Sequence, residues 1–425
     1  MHSRPIELGL GRVREVFDRL QVKLTGVKFV VGGTNGKGST CAMLEAILLA
    51  AGYRVGCYTS PHLLRFNERV RVGGEAVGDA ALIEQFEAIE AARGSVSLTY
   101  FEFTTLAILR LLSQTPLDAL VLEIGLGGRL DAVNIVDADC AILTSIDIDH
   151  ADYLGDSRER IGWEKAHIMR AGKPAICSDP QPPAPIAEHA SEVGADLWLF
   201  RRDFNYAGDR QQWSYGGRGQ RRNSLAYPAL RGANQLLNAS GVLAALEAVR
   251  DLLPISAQAV RKGFSVVDLP GRFQVLAGRP AVILDVAHNP HAAAHLARNL
   301  ESMGFFPLTF AVFGILADKD IDGVIGHMKG VVDHWICCSL PGPRGSSAED
   351  IEVRLRRAGI EDRTDARAGI DSSVVCVPTP AQGLALARSR AGENDRILVF
   401  GSFLTVAGAL DPIEPPAAAG GQVLS

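Results

Sequence analysis

Nowhere in the 425 residues does an apolar run approach the roughly 18 residues that a membrane-spanning helix needs. The opening stretch MHSRPIELGLGRV also lacks the uninterrupted apolar core of a secretory signal. Cysteine is sparse: seven are scattered with no metal-ligand spacing, and Cys337 and Cys338 are adjacent within one strand-like run. An odd, dispersed set points to reduced thiols rather than to a disulfide framework. No charge sign dominates. A formal net charge of −5 with 21% charged residues argues against a nucleic-acid or anionic-membrane binder. Internal repeats and low-complexity tracts are absent too. These absences leave a soluble, cytoplasmic, globular protein. At 425 residues it exceeds what one hydrophobic core usually organises, so two domains are expected.

What is present centres on residues 27–40, VKFVVGGTNGKGST. Residues 27–31 suit a buried parallel strand, and residues 39–49 suit a helix. Between them runs a glycine-rich turn of Gly32, Gly33, Thr34, Asn35, Gly36, Lys37 and Gly38. In that geometry backbone N–H groups and a helix N-terminus cradle phosphates, with Lys37 reaching the outer phosphates and a hydroxyl facing Mg²⁺. The match to the ordinary pattern is imperfect. Val31 occupies the place of the first glycine, and Gly38 separates Lys37 from Ser39. A glycine-rich turn that binds nothing is the alternative.

The rest of the chain alternates strand and helix. A short helix is read over 6–20, a second strand over 53–58, helices over 79–93 and 103–114, and strands over 118–124 and 138–146. Such alternation implies a parallel sheet covered on both faces, with ligands beyond the carboxyl ends of its strands. The loop after Val31, Ser60, Glu123 and His150 then share one edge. Residues 201–228 (DRQQWSYGGRGQRR among them) read as a surface β-hairpin region, and helices over 232–250 and 256–264 close the first domain. The expected division is 1–268, a hinge at 269–273, and a smaller Rossmann-like α/β domain at 274–411. In that second domain strands are read at 282–285, 308–313, 334–338 and 396–400, with helices near 290–303, 347–358 and 379–391. Residues 412–425, rich in Pro, Ala and Gly, read as a frayed tail.

Several residues carry chemistry on this reading. Glu123, at a strand end before a glycine-rich run, can ligate Mg²⁺ beside nucleotide phosphates, or sit in a surface ion pair. His150 also closes a strand, but Mg²⁺ prefers oxygen, so alone it reads as structural. Lys165 on a helix is a solvated charge unless it is buried near the metal, where its pKa falls and its amine reacts. Asp285 can accept hydrogen bonds from a ribose, and His288 and Arg272 can approach a phosphate; helix caps or ion pairs are equally open for each.

The ordered series GTNGKGST, YTSPHLLRFNERVRV, SLTYFEF, LEIGLGGRLDAVNIV, DHADYLG, WEKAHI, LPGRFQ and DVAHNPHAA resembles the folylpolyglutamate synthase family of the Mur-ligase superfamily. It is most similar to the bacterial members that also act as dihydrofolate synthases. The resemblance spans roughly residues 6–410, and the K-G-S spacing is itself the family's form.

The resemblance implies a P-loop ATPase-like first domain and ATP wrapped by Gly33, Thr34, Asn35, Gly36, Lys37, Gly38 and Ser39. Ser60 and Glu123 would hold one Mg²⁺ and His150 a second, with a monovalent cation possible nearby. Lys165 matches a carbamylated lysine. Asn238 matches the residue that meets adenine, although Asn234 stands where many relatives have histidine. Arg272 and Asp285 match ATP contacts, with His288 beside them as a catalytic candidate. For dihydropteroate the matching positions are Ile6, Glu7, Leu8, Gly9, Thr99, Tyr100, Phe101, Glu102, Leu130, Asp131 and Ala132, with Phe101 as a stacking face for the pterin. Gly32 stands where alanine is usual, with little consequence expected. The implied substrates are dihydropteroate, reduced folates, L-glutamate and ATP, and a monomer suffices. Two other readings stand against this. A cell-wall amino-acid ligase would need a whole domain before the loop, where 31 residues precede Gly32. A P-loop switch would not need the second domain.

Overall fold

The computed structural model describes residues 7–209, 211–232, 234–362 and 372–410; Ile6 and the tail 412–425 lie outside them. The chain divides into two compact units between Leu269 and Pro270. In the first, the sheet comprises β1 (Val27–Gly32), β2 (Val55–Tyr58), β3 (Val70–Val72), β4 (Glu75–Ala76), β5 (Ala119–Glu123), β6 (Cys140–Leu143), β7 (Pro174–Cys177) and β8 (Asp196–Leu199). Their spatial order is β4-β3-β2-β5-β1-β6-β7-β8. Pairings from β2 through β8 are parallel, while β3 and β4 return antiparallel at one edge.

The near-continuous apolar character of β1 follows from burial on both faces. Phe29 and Val31 point into one core cluster and Val30 into the other. Helices α1 (Gly11–Leu20), α3 (Asp79–Arg93), α4 (Tyr100–Ser113), α6 (Arg158–Ala166) and α7 (Ala184–Val193) feed the Val30 side; α2 (Lys37–Ala50), α8 (Gln235–Ala248) and α9 (Ala257–Val266) feed the other. A short α5 (Ala151–Leu154) follows β6. The expected first helix begins only at Gly11, which leaves Glu7, Leu8 and Gly9 extended or irregular. Helix α4 begins earlier than its apolar spacing suggests, because Thr99 caps it: Thr99 Oγ1 accepts from Glu102 N while Glu102 Oε2 accepts from Thr99 N.

The region 201–228 is more than a surface hairpin. Strands β9 (Asn205–Gly208), β10 (Trp213–Gly216) and β11 (Arg221–Leu225) form an antiparallel sheet with β10 in the middle. Period-two alternation turns Trp213 and Tyr215 inward, where both are buried, and the Tyr215 hydroxyl donates to Glu247 Oε2 at 2.7 Å.

The second unit holds β12 (Gln274–Leu276), β13 (Ala281–Leu284), β14 (Thr309–Phe313), β15 (His334–Cys338), β16 (Val374–Val377) and β17 (Arg396–Phe400) in the order β12-β13-β17-β14-β15-β16. Only β12 runs antiparallel. Its helices are α10 (Pro290–Ser302), α11 (Ile321–Met328), α12 (Ala348–Arg357), α13 (Pro380–Arg390) and α14 (Phe403–Leu410). Strands β12 and β16 and helices α11 and α14 add to the elements read from sequence.

Candidate active site

Strands β2, β5, β1 and β6 are neighbours and parallel, so the turns that follow them open on one edge. After β1 the chain turns through Gly33 (φ +141°) and Gly36 (φ +96°) into α2, which starts at Lys37, earlier than Ser39. The first-turn N–H groups of α2 therefore lie at the glycine turn, where an anion can accept them. Residues after β6 hold this loop in shape. Thr34 N donates to Ser145 O at 2.7 Å, Thr34 Oγ1 donates to Asp147 O at 2.9 Å, and Ser145 Oγ donates to Asn35 O at 3.0 Å. On the other side, Gln235 Nε2 donates to Ser39 Oγ at 3.3 Å and Asn238 Nδ2 to Gln235 Oε1 at 3.2 Å. Asn238 thus lies against Gly36, where an added Cβ would fall 2.7 Å from Asn238 Oδ1.

Gly33 admits no side chain. An added Cβ would fall 1.8 Å from Thr144 Oγ1, in a left-handed conformation worth about 1–3 kcal/mol of strain for other residues. Gly33→Ala is therefore expected to lose nucleotide binding by calorimetry and to melt earlier. At Gly32 an added Cβ would meet the flexible tips of Ile168 and Leu143, at 3.1 and 3.4 Å, and Ile124 Cγ1 at an ordinary 3.9 Å. Gly32→Ala should bind as the parent does.

Lys37 and Lys165 converge on one carbonyl. Lys37 Nζ donates to Gly33 O at 3.1 Å and to Thr34 O at 3.2 Å, while Lys165 Nζ donates to Gly33 O at 2.9 Å. Lys165 is buried on α6, and a Cβ on Gly128 would come within 2.9 Å of its Cα, so the glycine run after β5 lets that helix approach. Burial first, and repulsion by Lys37 second, bring the Lys165 ammonium down to about 7; Asp149 and Asp131 pull the other way. Asp149 and Asp131 escaped the reading of the sequence as partners of this lysine, since only the fold brings them near it. Asp131 is itself buried and pushed up to about 6 by desolvation, although Leu126 N and Val133 N donate to it at 2.8 and 2.9 Å.

Glu123 is buried at the end of β5, register partner of Val31, and its Oε2 accepts the Ser60 N–H at 3.1 Å. The structure thus brings Ser60 and Glu123 together. Among the described residues no group of three or more His, Cys, Asp or Glu gathers around a metal position. A carboxylate and a hydroxyl at a phosphate loop nonetheless fit Mg²⁺, which completes its octahedron with water and phosphate oxygens. His150 takes a left-handed backbone (φ 54°) before α5, with Nε2 3.9 Å from Asp149 Oδ2. Its imidazole suits a hard cation less well than oxygen does.

The acceptor segments also assemble. Arg12 donates to Glu7 Oε1 at 3.1 Å and to Glu102 Oε1 at 2.7 Å, which ties the start of the described chain to the α4 cap. With Oε1 on Arg12 Nη2 and Oε2 shared by Arg12 Nε and Thr99 N, Glu102 has a structural task that its T-x-x-E spacing announces. Phe101 covers Gly125, where an added Cβ would fall 2.3 Å from the ring, and stacks on Tyr58 with centroids 6.5 Å apart. Asp131 caps the 3-10 turn Ala132–Ile135, which follows Leu130.

Within the second unit Arg272, Asp285 and His288 cluster. Half-buried Asp285 accepts from Phe273 N at 2.9 Å and Ala287 N at 2.8 Å; desolvation raises its pKa, against the attraction of Arg272. His288 pairs Nδ1 with Val286 O at 2.8 Å, and the Arg272 guanidinium lies 4.9 Å from the Phe403 ring centroid. The adjoining Asn289 caps α10.

A phosphate loop at the head of a parallel sheet, joined to a second α/β unit, is the construction of a Mur-type ligase. Residues 31–178 match the Mur ligase middle domain and residues 271–403 the Mur ligase glutamate ligase domain. The dihydrofolate synthase/folylpolyglutamate synthase of Escherichia coli (strain K12) is 45% identical over 415 residues, 97% of this chain and 93% of that protein. Escherichia coli FolC in complex with DHPP and ADP superposes with a TM-score of 0.90 at 45% identity, covering 96% of this chain and 94% of that one. A bifunctional folylpolyglutamate synthase/dihydrofolate synthase with Mn, AMPPNP and L-glutamate bound gives 0.87 at 44% identity, covering 95% and 94%. The chain belongs to the dihydrofolate synthase/folylpolyglutamate synthase family.

Proposed function

We propose that this protein uses ATP to join L-glutamate to dihydropteroate and to the γ-carboxylate of reduced folates, as a cytoplasmic monomer. The observation that carries the reading is the phosphate loop with Lys37 and Lys165 meeting at Gly33 O, in a chain of which 97% matches such a ligase.

Residues Gly33 to Ser39 wrap the ATP phosphates. Asn238 meets the base, and Arg272 and Asp285 are nucleotide contacts, with His288 beside them. Ser60 and Glu123 hold one Mg²⁺ and His150 a second; the metal supplies charge neutralisation at the phosphates. The described part of the pterin site is Glu7, Leu8, Gly9, Thr99, Tyr100, Phe101, Glu102, Leu130, Asp131 and Ala132. The acceptor carboxylate attacks the γ-phosphorus of ATP, ADP leaves, and an acyl phosphate remains. The neutral α-amine of glutamate attacks the acyl carbon, the tetrahedral intermediate collapses, and phosphate departs. Lys37 stabilises the charge developing on the transferred group.

The test is ADP release with ATP, Mg²⁺ and L-glutamate, adding either dihydropteroate or a reduced folate monoglutamate. Turnover with both, and glutamylated products seen by mass, is expected. Turnover with the folate alone would remove the dihydropteroate assignment and the pterin role of Phe101 with it. ADP release indifferent to either acceptor would overturn the ligase and favour a nucleotide switch.

A further inference from the structure

A buried polar cluster lies beside the phosphate-loop helix and takes no part in the chemistry above. Arg71 on β3 reaches Glu45 on α2: Nε donates to Oε1 and Oε2 at 3.1 and 2.9 Å, and Nη2 to Oε2 at 2.7 Å. Glu45 is buried, and the Arg71 side chain is 19% exposed. That carboxylate alone would satisfy much of the guanidinium, yet the fork goes further. Nη2 lies 3.3 Å from Cys57 Sγ, Nη1 donates to Glu68 O at 3.2 Å, and Nη1 lies 3.5 Å from Thr59 Oγ1. One side chain therefore touches α2, β2, the turn after β2 and the 3-10 turn Phe66–Arg69. The residue after Thr59 is Ser60, whose N–H is on Glu123.

Stability offers little reason for charge here, since a buried ion pair is often no better than apolar residues of the same size. Orientation offers a reason. Glu45 stands eight residues into the helix whose first residue is Lys37, about 12 Å along a rigid rod. A guanidinium fork between that rod and the Thr59 turn fixes the distance from the phosphate loop to Ser60.

We propose that the Glu45–Arg71 pair positions the metal site, by holding the Thr59–Ser60 turn in register with the phosphate-loop helix. The proposal rests on Ser60 and Glu123 as metal ligands. Its test is Mn²⁺ binding in the presence of ADP, read by electron paramagnetic resonance, beside calorimetric ADP binding without metal and thermal melting. The double variant Glu45→Met/Arg71→Met removes the charges and keeps the volume. It is expected to melt near the parent and to bind ADP alone as the parent does, while its Mn²⁺ dissociation constant rises about tenfold, as when residues behind metal ligands are lost. Arg71→Lys, with charge but no fork, should fall between the two. Ser60→Ala separates the two claims. Mn²⁺ affinity lowered by Ser60→Ala but unchanged in the folded double variant overturns the positioning role. Affinity unchanged by Ser60→Ala overturns the ligand assignment and the proposal together. Should the double variant not fold, unchanged Mn²⁺ affinity in Arg71→Lys is the overturning result.

Discussion

Lys37→Ala is expected to lose ligation, with kcat down at least about 10²–10³-fold, the scale of one electrostatic donor removed from a transition state. The fold should survive. Lys37 Nζ now spends its protons on Gly33 O and Thr34 O, carbonyls of its own loop, and water can replace it there. What cannot be replaced is a cation already held at the turn where the α2 N–H groups point. A phosphate arriving at this turn exchanges with those carbonyls over a short distance, so little rearrangement is needed. Lys37→Arg should fail nearly as badly, because a planar fork does not reproduce a point charge in a loop closed down on both sides. Glutamylated product by mass, with melting as the control, decides it. Near-normal product formation by Lys37→Ala would show that this loop does not hold the reacting phosphate.

The contrast between that loop and its surroundings marks how far the sequence is legible. Strand, glycine turn and helix are contiguous over residues 27–50, so local pattern alone defines them. The fully buried run at His334–Cys338 is legible for the same reason. Helix α11 escapes because glycines at 323 and 326 break its apolar period, and β12 because three half-buried residues carry no pattern. Residues that shape the loop from afar are harder still. Thr144, Ser145 and Asp147 sit more than a hundred residues from the carbonyls and hydroxyl they bind, and no spacing rule joins them. The T-x-x-E spacing at Thr99–Glu102 is a cap signature that the expected pterin role of Glu102 leaves out, and the carboxylate accepts from Thr99 N and from Arg12.

Replacing Lys165 by arginine is expected to cost at least about 10²-fold in ligation, because burial drives this amine toward its neutral form and an arginine keeps its charge. The sign of the pH dependence follows from its burial. Its folded pKa, about 7, lies below the ordinary 10.5. Between those values the unfolded chain binds more protons, so this group makes stability rise with pH across that window. The same depression exposes a nucleophile. Carbon dioxide adds only to the neutral amine, which is about a tenth of the population at pH 6 and about nine tenths at pH 8. Addition turns a cation into an anion beside Lys37, so repulsion across the shared Gly33 carbonyl becomes attraction, and the remaining N–H can still donate to that oxygen. Protein equilibrated with ¹³C-bicarbonate at pH 8 should therefore show one carbamate carbon by NMR, absent in Lys165→Arg and fading as the pH falls through 7. Enzyme stripped of carbon dioxide near pH 6 should be nearly inactive and recover when bicarbonate is added at pH 8. No carbamate signal, together with ligation indifferent to bicarbonate, would leave Lys165 a buried neutral amine whose task is to hold the phosphate loop through Gly33.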